Sequence, residues 1–354
     1  MGDLTVGPLT AGELTSLEIC AGAGGQALGL EQAGFTHEAV VELDAAACET
    51  LRRNGGDLWK VIEDDVANVD GRGFAGLDLF AGGVPCPPFS IAGKQLGRDD
   101  ERDLFPQALR LVEEIGPRAV LLENVRGLAA RRFDGYRTQV LQRLHGLGYQ
   151  TWWDVVQASQ HGVPQLRPRF VLVALRQPWA SWFRWPEEAA GPPPTVGGIL
   201  ADLMAARGWP GAADWAAGAR GIAPTIVGGS KKHGGPDLGP TRAREAWKGL
   251  GVDGLGIGDD APGPLFPVDQ RPKLTVRMVA RLQGFPDSWE FSGRKTAAYR
   301  QVGNAFPPPV ARALGEAIRD ALTRAEPARD AGPDAVPAGP GPADPGHHAS
   351  PGPS

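Results

Sequence analysis

Cysteine is scarce in this chain. The 354 residues hold three, Cys20, Cys48 and Cys86, too few and too far apart for a disulfide framework or the paired spacing of a zinc site. A reducing compartment is therefore expected, no metal site is expected, and thiol chemistry stays open. No apolar run approaches the roughly 18 residues that a membrane span needs. No charged-then-apolar leader opens the sequence, and Val6 stands where N-myristoylation wants Ser or Thr. The expectation is a cytoplasmic protein with no membrane partner.

An excess of positive charge is also lacking. The formal net charge is −5, which as an average argues against a polyanionic partner, but the charge is unevenly spread. From Arg271 to Arg300 seven Lys or Arg stand against two acids, Asp287 and Glu290, and Lys231-Lys232-His233 with Arg242 and Arg244 forms a second basic group. Such stretches either face phosphate or pair with acids that the fold brings near. With 42% hydrophobic residues the chain can fill a real core, and its length fits two domains of about 150 residues each.

What is present centres on one cysteine. The apolar run Leu77 to Gly83 ends in two glycines and is followed by Pro85-Cys86-Pro87-Pro88-Phe89-Ser90. A strand ending there would deliver the thiol to the carboxyl edge of a sheet, where open α/β folds bind ligands, with prolines restricting the backbone beside it. A structural cysteine in a proline-rich turn is the alternative.

Upstream, the strand candidate Thr15 to Ile19 runs into Ala21-Gly22-Ala23-Gly24-Gly25 and then a helical pattern ending at Gly34. Strand, glycine turn and helix in that order can hold a nucleotide-type cofactor at the helix N-terminus. A second strand, Ala39 to Val41, ends at Glu42, about 20 residues beyond the turn, where an acid can accept hydrogen bonds from ribose hydroxyls. Asp65-Val66, after another short strand, can cap the same pocket. Beyond the cysteine, Ile91 to Arg102 is polar, with Gly93 and Gly97, and the loop Phe89 to Arg102 reads as a mobile lid. Leu104, Ala108, Leu111, Val112 and Ile115 repeat at helical spacing, and Ala119-Val120-Leu121-Leu122 is an apolar strand ending in Glu123-Asn124-Val125. Cys86 and Glu123 at neighbouring strand ends would face one pocket.

Arg137 to Leu147 reads as a helix. Gln165-Leu166-Arg167-Pro168-Arg169 leads into the strand Phe170 to Leu175, with the two arginines on one face. From Pro178 to Pro267 periodicity weakens among many Pro, Gly and Trp residues. Regularity returns with a basic helix at Leu274 to Leu282, the stretch Gln301 to Pro309 and a closing helix from Val310 to about Arg324. Glu326 to Ser354 holds 8 Pro and 5 Gly and almost no large apolar groups, so disorder is expected.

With these pieces in this order, residues 15 to about 322 resemble the DNA (cytosine-5)-methyltransferases of the bacterial modification type. Glu18 through Gly25 looks like that family's S-adenosylmethionine turn, Pro85-Cys86 its nucleophile motif, Glu123-Asn124-Val125 its glutamate motif, and Gln165 through Arg169 its Gln-x-Arg-x-Arg motif. The run from Arg277 to Pro286 and Gln301 through Ala305 look like its last two blocks. Asp78 through Gly83 imitates the cofactor turn, but Pro85-Cys86 follows at once and marks it as the strand before the nucleophile.

The resemblance implies an α/β fold: the Rossmann-like doubly wound sheet of S-adenosylmethionine-dependent methyltransferases, with a small irregular target-recognition domain. Residues 1–177 would form the catalytic domain, 178–290 the recognition domain, 291–325 a return to the catalytic domain, and 326–354 a disordered tail. It implies catalytic roles for Cys86, Glu123, Arg167 and Arg169. Cofactor contacts would come from Glu18, Ala21, Gly22, Gly24, Gly25, Glu42, Asp65, Val66, Leu104, Asn304 and Ala305, and DNA contacts from Ser90, Gln165, Thr225, Lys231, Lys232, Arg242 and Arg244. The partners would be double-stranded DNA and a cognate restriction endonuclease, the protein a monomer associated with the nucleoid. Three positions depart from the family pattern: Cys20 replaces an aromatic that packs on adenine, Pro87 a Gln, and Met278 an acid. A tRNA cytosine-5 methyltransferase and a silent nucleic-acid-binding protein are the alternatives. The Cys-Phe-Thr triplet of the tRNA subfamily is absent, and the intact Cys-Glu-Arg set argues against the second.

Overall fold

The computed structural model describes residues 14–85, 103–229 and 237–324. In chain order the elements are β1 (Leu14–Ile19), α1 (Gly25–Gln32), β2 (Phe35–Glu42), α2 (Ala45–Gly55), β3 (Val61–Glu63), β4 (Leu79–Gly83), α3 (Phe105–Ile115), β5 (Ala119–Val125), α4 (Asp134–Gly146), β6 (Tyr149–Gln157), β7 (Gln165–Leu166) and β8 (Pro168–Arg176). There follow α5 (Val196–Ala205), α6 (Ala212–Gly218), β9 (Ala223–Pro224), α7 (Thr241–Gly249), α8 (Val276–Leu282), α9 (Lys295–Asn304) and α10 (Pro308–Arg324).

Seven strands form one sheet in the order β3-β2-β1-β4-β5-β8-β6. The pairs from β3 to β5 are parallel, and β8 alone runs the other way, antiparallel to both β5 and β6. The order reverses between β1 and β4, and in such sheets the crevice at that point, outside the carboxyl ends of the strands, binds the ligand. Alternation along the strands feeds two cores. Leu17, Ile19, Phe80, Val120 and Leu122 pack under α3 and α4, while Leu79, Ala81, Ala119 and Leu121 pack under α1 and α10. Strands covered on both faces read as unbroken apolar runs, which is why Ala119 to Leu122 is so plain in the sequence.

Two features go beyond what the sequence reading offered. β6 has no uninterrupted apolar run because it is the edge strand, half-exposed along much of its length. The segment after Pro178 is less irregular than its composition suggests: α5, α6 and α7 form because Trp209, Trp215 and Trp247 are buried in a third core. That core continues into Leu28 of α1, Leu51 of α2 and Trp59, so the segment is packed onto the strand ends that build the cleft. Among the described residues no helix is long and apolar enough to cross a membrane.

Candidate active site

The parallel register brings the ends of β1, β4 and β5 to one edge. Ile19 pairs with Gly82, Gly82 with Leu122, and Gly83 with Glu123. Above this edge lies a cleft of about 510 Å³. Of the residues expected around a cofactor, Glu18, Ala21, Gly22, Glu42, Asp65, Val66, Leu104, Asn304 and Ala305 line it. Gly24 and Gly25 are not part of that lining. Gly24 caps α1 in the left-handed region, at φ 79°, and a Cβ on Gly25 would stand 2.2 Å from the Phe306 carbonyl oxygen. Their lack of side chain serves the turn and its packing on the chain before α10, behind the cleft wall.

Glu42 closes the turn. One carboxylate oxygen accepts the Gly22 N–H at 2.8 Å, and the other accepts those of Leu43 and Asp44 at 2.9 and 2.8 Å. Asp65 accepts the Ala67 N–H at 2.9 Å, starting the short turn after β3. Cys20 sits at φ 52°. Burial, then the charges of Glu42, Glu18 and Asp65, push its thiol far above the ordinary range, so it stays protonated and unreactive.

Two groups in the cleft have buried polar atoms with no partner among the described residues. Glu18 is 1% exposed, and its Oε2 meets no donor. Burial, with the Glu42 charge second, holds its carboxyl well above the usual range. Gln26, in the first turn of α1, is 3% exposed, and neither its Oε1 nor its Nε2 has a partner. A buried amide left unpaired costs about 1–3 kcal/mol, so these atoms fit a polar ligand. The sequence reading missed Gln26. The available signal was a lone amide directly after the glycine turn, followed by Ala27-Leu28-Gly29-Leu30.

The far end of the cleft carries the second set. Glu123 accepts a 2.8 Å ion pair from Arg169 Nε, with both side chains 11% exposed. Burial pushes the Glu123 carboxyl upward while Arg169 and Arg167 pull it back, the net result being a raised value. A Cβ on Gly83 would lie 3.4 Å from Glu123 Oε2 and 3.7 Å from the Cys20 carbonyl oxygen. Glu123 thus stands one glycine away from the cofactor turn. Asn124 donates to the Val84 carbonyl and the Leu104 amide to that of Pro85, which anchors the chain entering the cysteine motif. Cys86, Ser90, the lid expected at Phe89 to Arg102, Lys231, Lys232 and the tail from Glu326 lie outside the described residues.

Arg167 does not share a strand face with Arg169. It falls in the break between β7 and β8, fully buried, and donates to the carbonyls of Ile226, Gly303 and Ala305 at 2.5, 2.8 and 2.8 Å. It clasps chain segments and does not line the cleft. Gln165, expected at the DNA, is also fully buried: its amide donates to Gln283 at 2.6 Å and accepts from the Ile226 N–H at 2.9 Å. No DNA atom can reach it. Thr225 spends its hydroxyl on the Leu166 carbonyl, while Arg242 is exposed and Arg244 half-buried on α7.

The basic run from Arg271 to Arg300 is largely neutralised. Lys273 faces Asp253, Arg277 faces Asp287, Arg281 faces Asp202 and Asp287, and Lys295 faces Asp259. Asp78 of the imitation turn accepts the Thr15 N–H and pairs with Arg118, a stitch between strands on the side away from the cleft.

A parallel sheet with one reversed strand, a glycine turn at its switch point, an acid after the next strand and unpaired buried polar atoms between them define an S-adenosylmethionine-dependent methyltransferase. More narrowly, the chain belongs to the C-5 cytosine-specific DNA methylases, whose family profile matches residues 14–218 and 243–320. It is 59% identical to the type II methyltransferase M.NaeI of Lentzea aerocolonigenes over 322 residues, 90% of this chain and 77% of that protein. It is 51% identical to M.NgoMIV of Neisseria gonorrhoeae over 88% of this chain and 99% of that protein. A mutant DNMT2 of Spodoptera frugiperda shares the fold at a TM-score of 0.62 and 16% identity, covering 86% of this chain and 99% of its own. The chain is thus an enzyme that methylates cytosine in DNA at C5, with S-adenosylmethionine as methyl donor. The family match favours this over the tRNA and binding-protein alternatives.

Proposed function

We propose that this chain is the modification methylase of a type II restriction–modification pair, acting on one double-stranded DNA sequence through a covalent bond between Cys86 and a flipped-out cytosine. The observation that carries the mechanism is the buried Glu123–Arg169 pair beside the cofactor turn and Pro85. C5 of cytosine is a poor nucleophile until something adds across the 5,6 bond. The Cys86 thiolate forms a bond to C6, and the ring electrons move toward C5. Glu123, whose raised proton affinity lets it share a proton with N3, offsets the negative charge that develops on the ring. Arg169 orients Glu123 and has further N–H groups for O2. When bound, S-adenosylmethionine supplies an electrophilic methyl group for C5. Water then removes the C5 proton, the 5,6 double bond reforms, and the Cys86 thiolate leaves.

Glu18, Gly22, Glu42, Asp65 and Asn304 would hold the cofactor. Arg167 acts indirectly, by fixing the segments that carry Thr225 and Asn304. Arg242, Arg244, Lys231 and Lys232 are the candidates for DNA contacts. None of this chemistry can proceed within a stacked duplex, so the base must leave the helix. The relatives' type II designation supports a cognate endonuclease as partner, and we expect a cytoplasmic, DNA-associated monomer.

Bisulfite mapping of DNA from expressing cells identifies the methylated sequence. Duplexes with 5-fluorocytosine at that position cannot release the C5 substituent as a proton. With cofactor they should trap the wild type as a denaturation-resistant complex bonded at Cys86, and Cys86→Ser should trap nothing. Absence of a Cys86 adduct on the mapped sequence would rule out the mechanism.

A further inference from the structure

The order of strands along the sheet edge sets out the cleft as a sequence of positions. Asp65 follows β3, Glu42 ends β2, Glu18 lies on β1, and Glu123 lies on β5 beyond β4. Neighbouring strands stand about 4.8 Å apart, so successive parts of an extended ligand meet successive strands. With ribose at Glu42 and transfer toward Glu123, the amino-acid end of the cofactor falls at β1 and the start of α1. There the two unpartnered groups are found, Glu18 Oε2 and the carboxamide of Gln26.

We propose that Gln26 is the binding residue for the carboxylate of the cofactor's methionine end, with Glu18 taking the adjacent ammonium. This rests on the assignment of the cleft to S-adenosylmethionine. Charge separates the two roles. Glu18, an acid, suits the cationic ammonium and would repel the carboxylate. Gln26 can donate its Nε2–H from the first turn of an eight-residue helix, where the first backbone amides and the helix dipole also favour an anion. Leucine would fill a similar volume and satisfy the apolar neighbours Ala27 and Leu28. An amide at 3% exposure without a partner weakens the empty protein and is useful only when something occupies the cleft.

The test compares two ligands by calorimetry on the full chain. S-adenosylhomocysteine carries the amino-acid end, and 5′-methylthioadenosine lacks both its ammonium and its carboxylate. Gln26→Leu should weaken S-adenosylhomocysteine about 10-fold, the equivalent of one hydrogen bond to a charged group, and leave methylthioadenosine unchanged. Gln26→Glu should weaken S-adenosylhomocysteine further, because it sets a second negative charge against the carboxylate. Ligand-free Gln26→Leu should melt at or above the wild-type temperature, since a buried unpaired amide has gone. An equal loss on both ligands, or no loss on either, would overturn the proposal, and tighter binding by Gln26→Glu would overturn the carboxylate assignment. Wild-type protein that binds methylthioadenosine but not S-adenosylhomocysteine would refute the inference alone, and failure to bind either would overturn the cofactor assignment as well.

Discussion

Arg169 Nε lies 2.8 Å from Glu123 Oε1 across the antiparallel pair β5 and β8, both side chains almost fully buried. In this register Glu123 stands opposite Val171 and Val125 opposite Arg169, so the pair is a diagonal contact that joins the strand end carrying the acid to the strand beginning at Pro168. Each charge is out of water, and each depends on the other.

Arg169→Met should destabilise the protein by about 3–5 kcal/mol at pH 8, because it strands a buried carboxylate. The loss should shrink as pH falls, since the Glu123 carboxyl, already raised by burial, then takes up a proton and needs no counter-charge. Chemical denaturation at pH 8 and pH 6 measures the difference, and a pH-independent loss would show that Arg169 contributes packing alone.

Arg167→Met should cost about 3 kcal/mol or more by leaving buried carbonyl acceptors at Ile226, Gly303 and Ala305 without donors. Hydrogen exchange should quicken around Ile226 and Asn304 together, because one guanidinium holds both segments. Loss of methylation with unchanged stability and exchange would instead mean that Arg167 touches the base.

Gly22 and Gly25 should fail in different ways. Gly25→Ala places a Cβ 2.2 Å from the Phe306 oxygen and should cost about 1–3 kcal/mol of stability as an overpacking strain. Gly22→Ala meets no atom within 4 Å but sits at φ 55°, costing about 1 kcal/mol. Since Gly22 lines the cleft, its variant should lose more cofactor affinity than the Gly25 variant. Melting curves beside S-adenosylhomocysteine titrations separate the two.

Cofactor affinity should rise with pH through the titration of Glu18. Burial and the neighbouring Glu42 hold the empty protein's Glu18 carboxyl well above the ordinary range, and a cationic ligand favours the ionised form. Binding therefore releases a proton, which calorimetry in buffers of different ionisation enthalpy detects. Glu42, the Cys20 thiol, Glu123 and Arg300 line the same cleft, so Glu18→Gln is the control, and it should abolish the proton release. A carboxyl raised above its unfolded value of about 4.3 lends stability at low pH that is lost as pH climbs through the folded value. Ligand-free Glu18→Gln should accordingly be more stable than wild type at pH 8.

Much of this protein is written in local sequence. β1, β2, β4 and β5 are visible because strands buried on both faces carry unbroken apolar runs. The turn from Ala21 to Gly25 and the acids Glu42, Asp65 and Glu123 are visible because strand ends place them by connectivity alone. Gln-Leu-Arg-Pro-Arg is equally visible as a motif, but its pattern of alternation does not show that the chain breaks at Arg167.

The tertiary structure decided the rest, since it sets which distant groups a side chain meets. The run from Arg271 to Arg300 reads as a phosphate-facing patch until Asp202, Asp253 and Asp259 are folded against it. α5, α6 and α7 lie in a segment whose Pro and Gly content argues against helix, and they form around Trp209, Trp215 and Trp247, whose burial outweighs weak local propensity. Gly25 is a packing glycine only because Phe306 approaches it from the far end of the chain. Whether Gln26 is satisfied depends wholly on what surrounds its amide, and burial without a partner is a property that no residue carries in its own sequence neighbourhood.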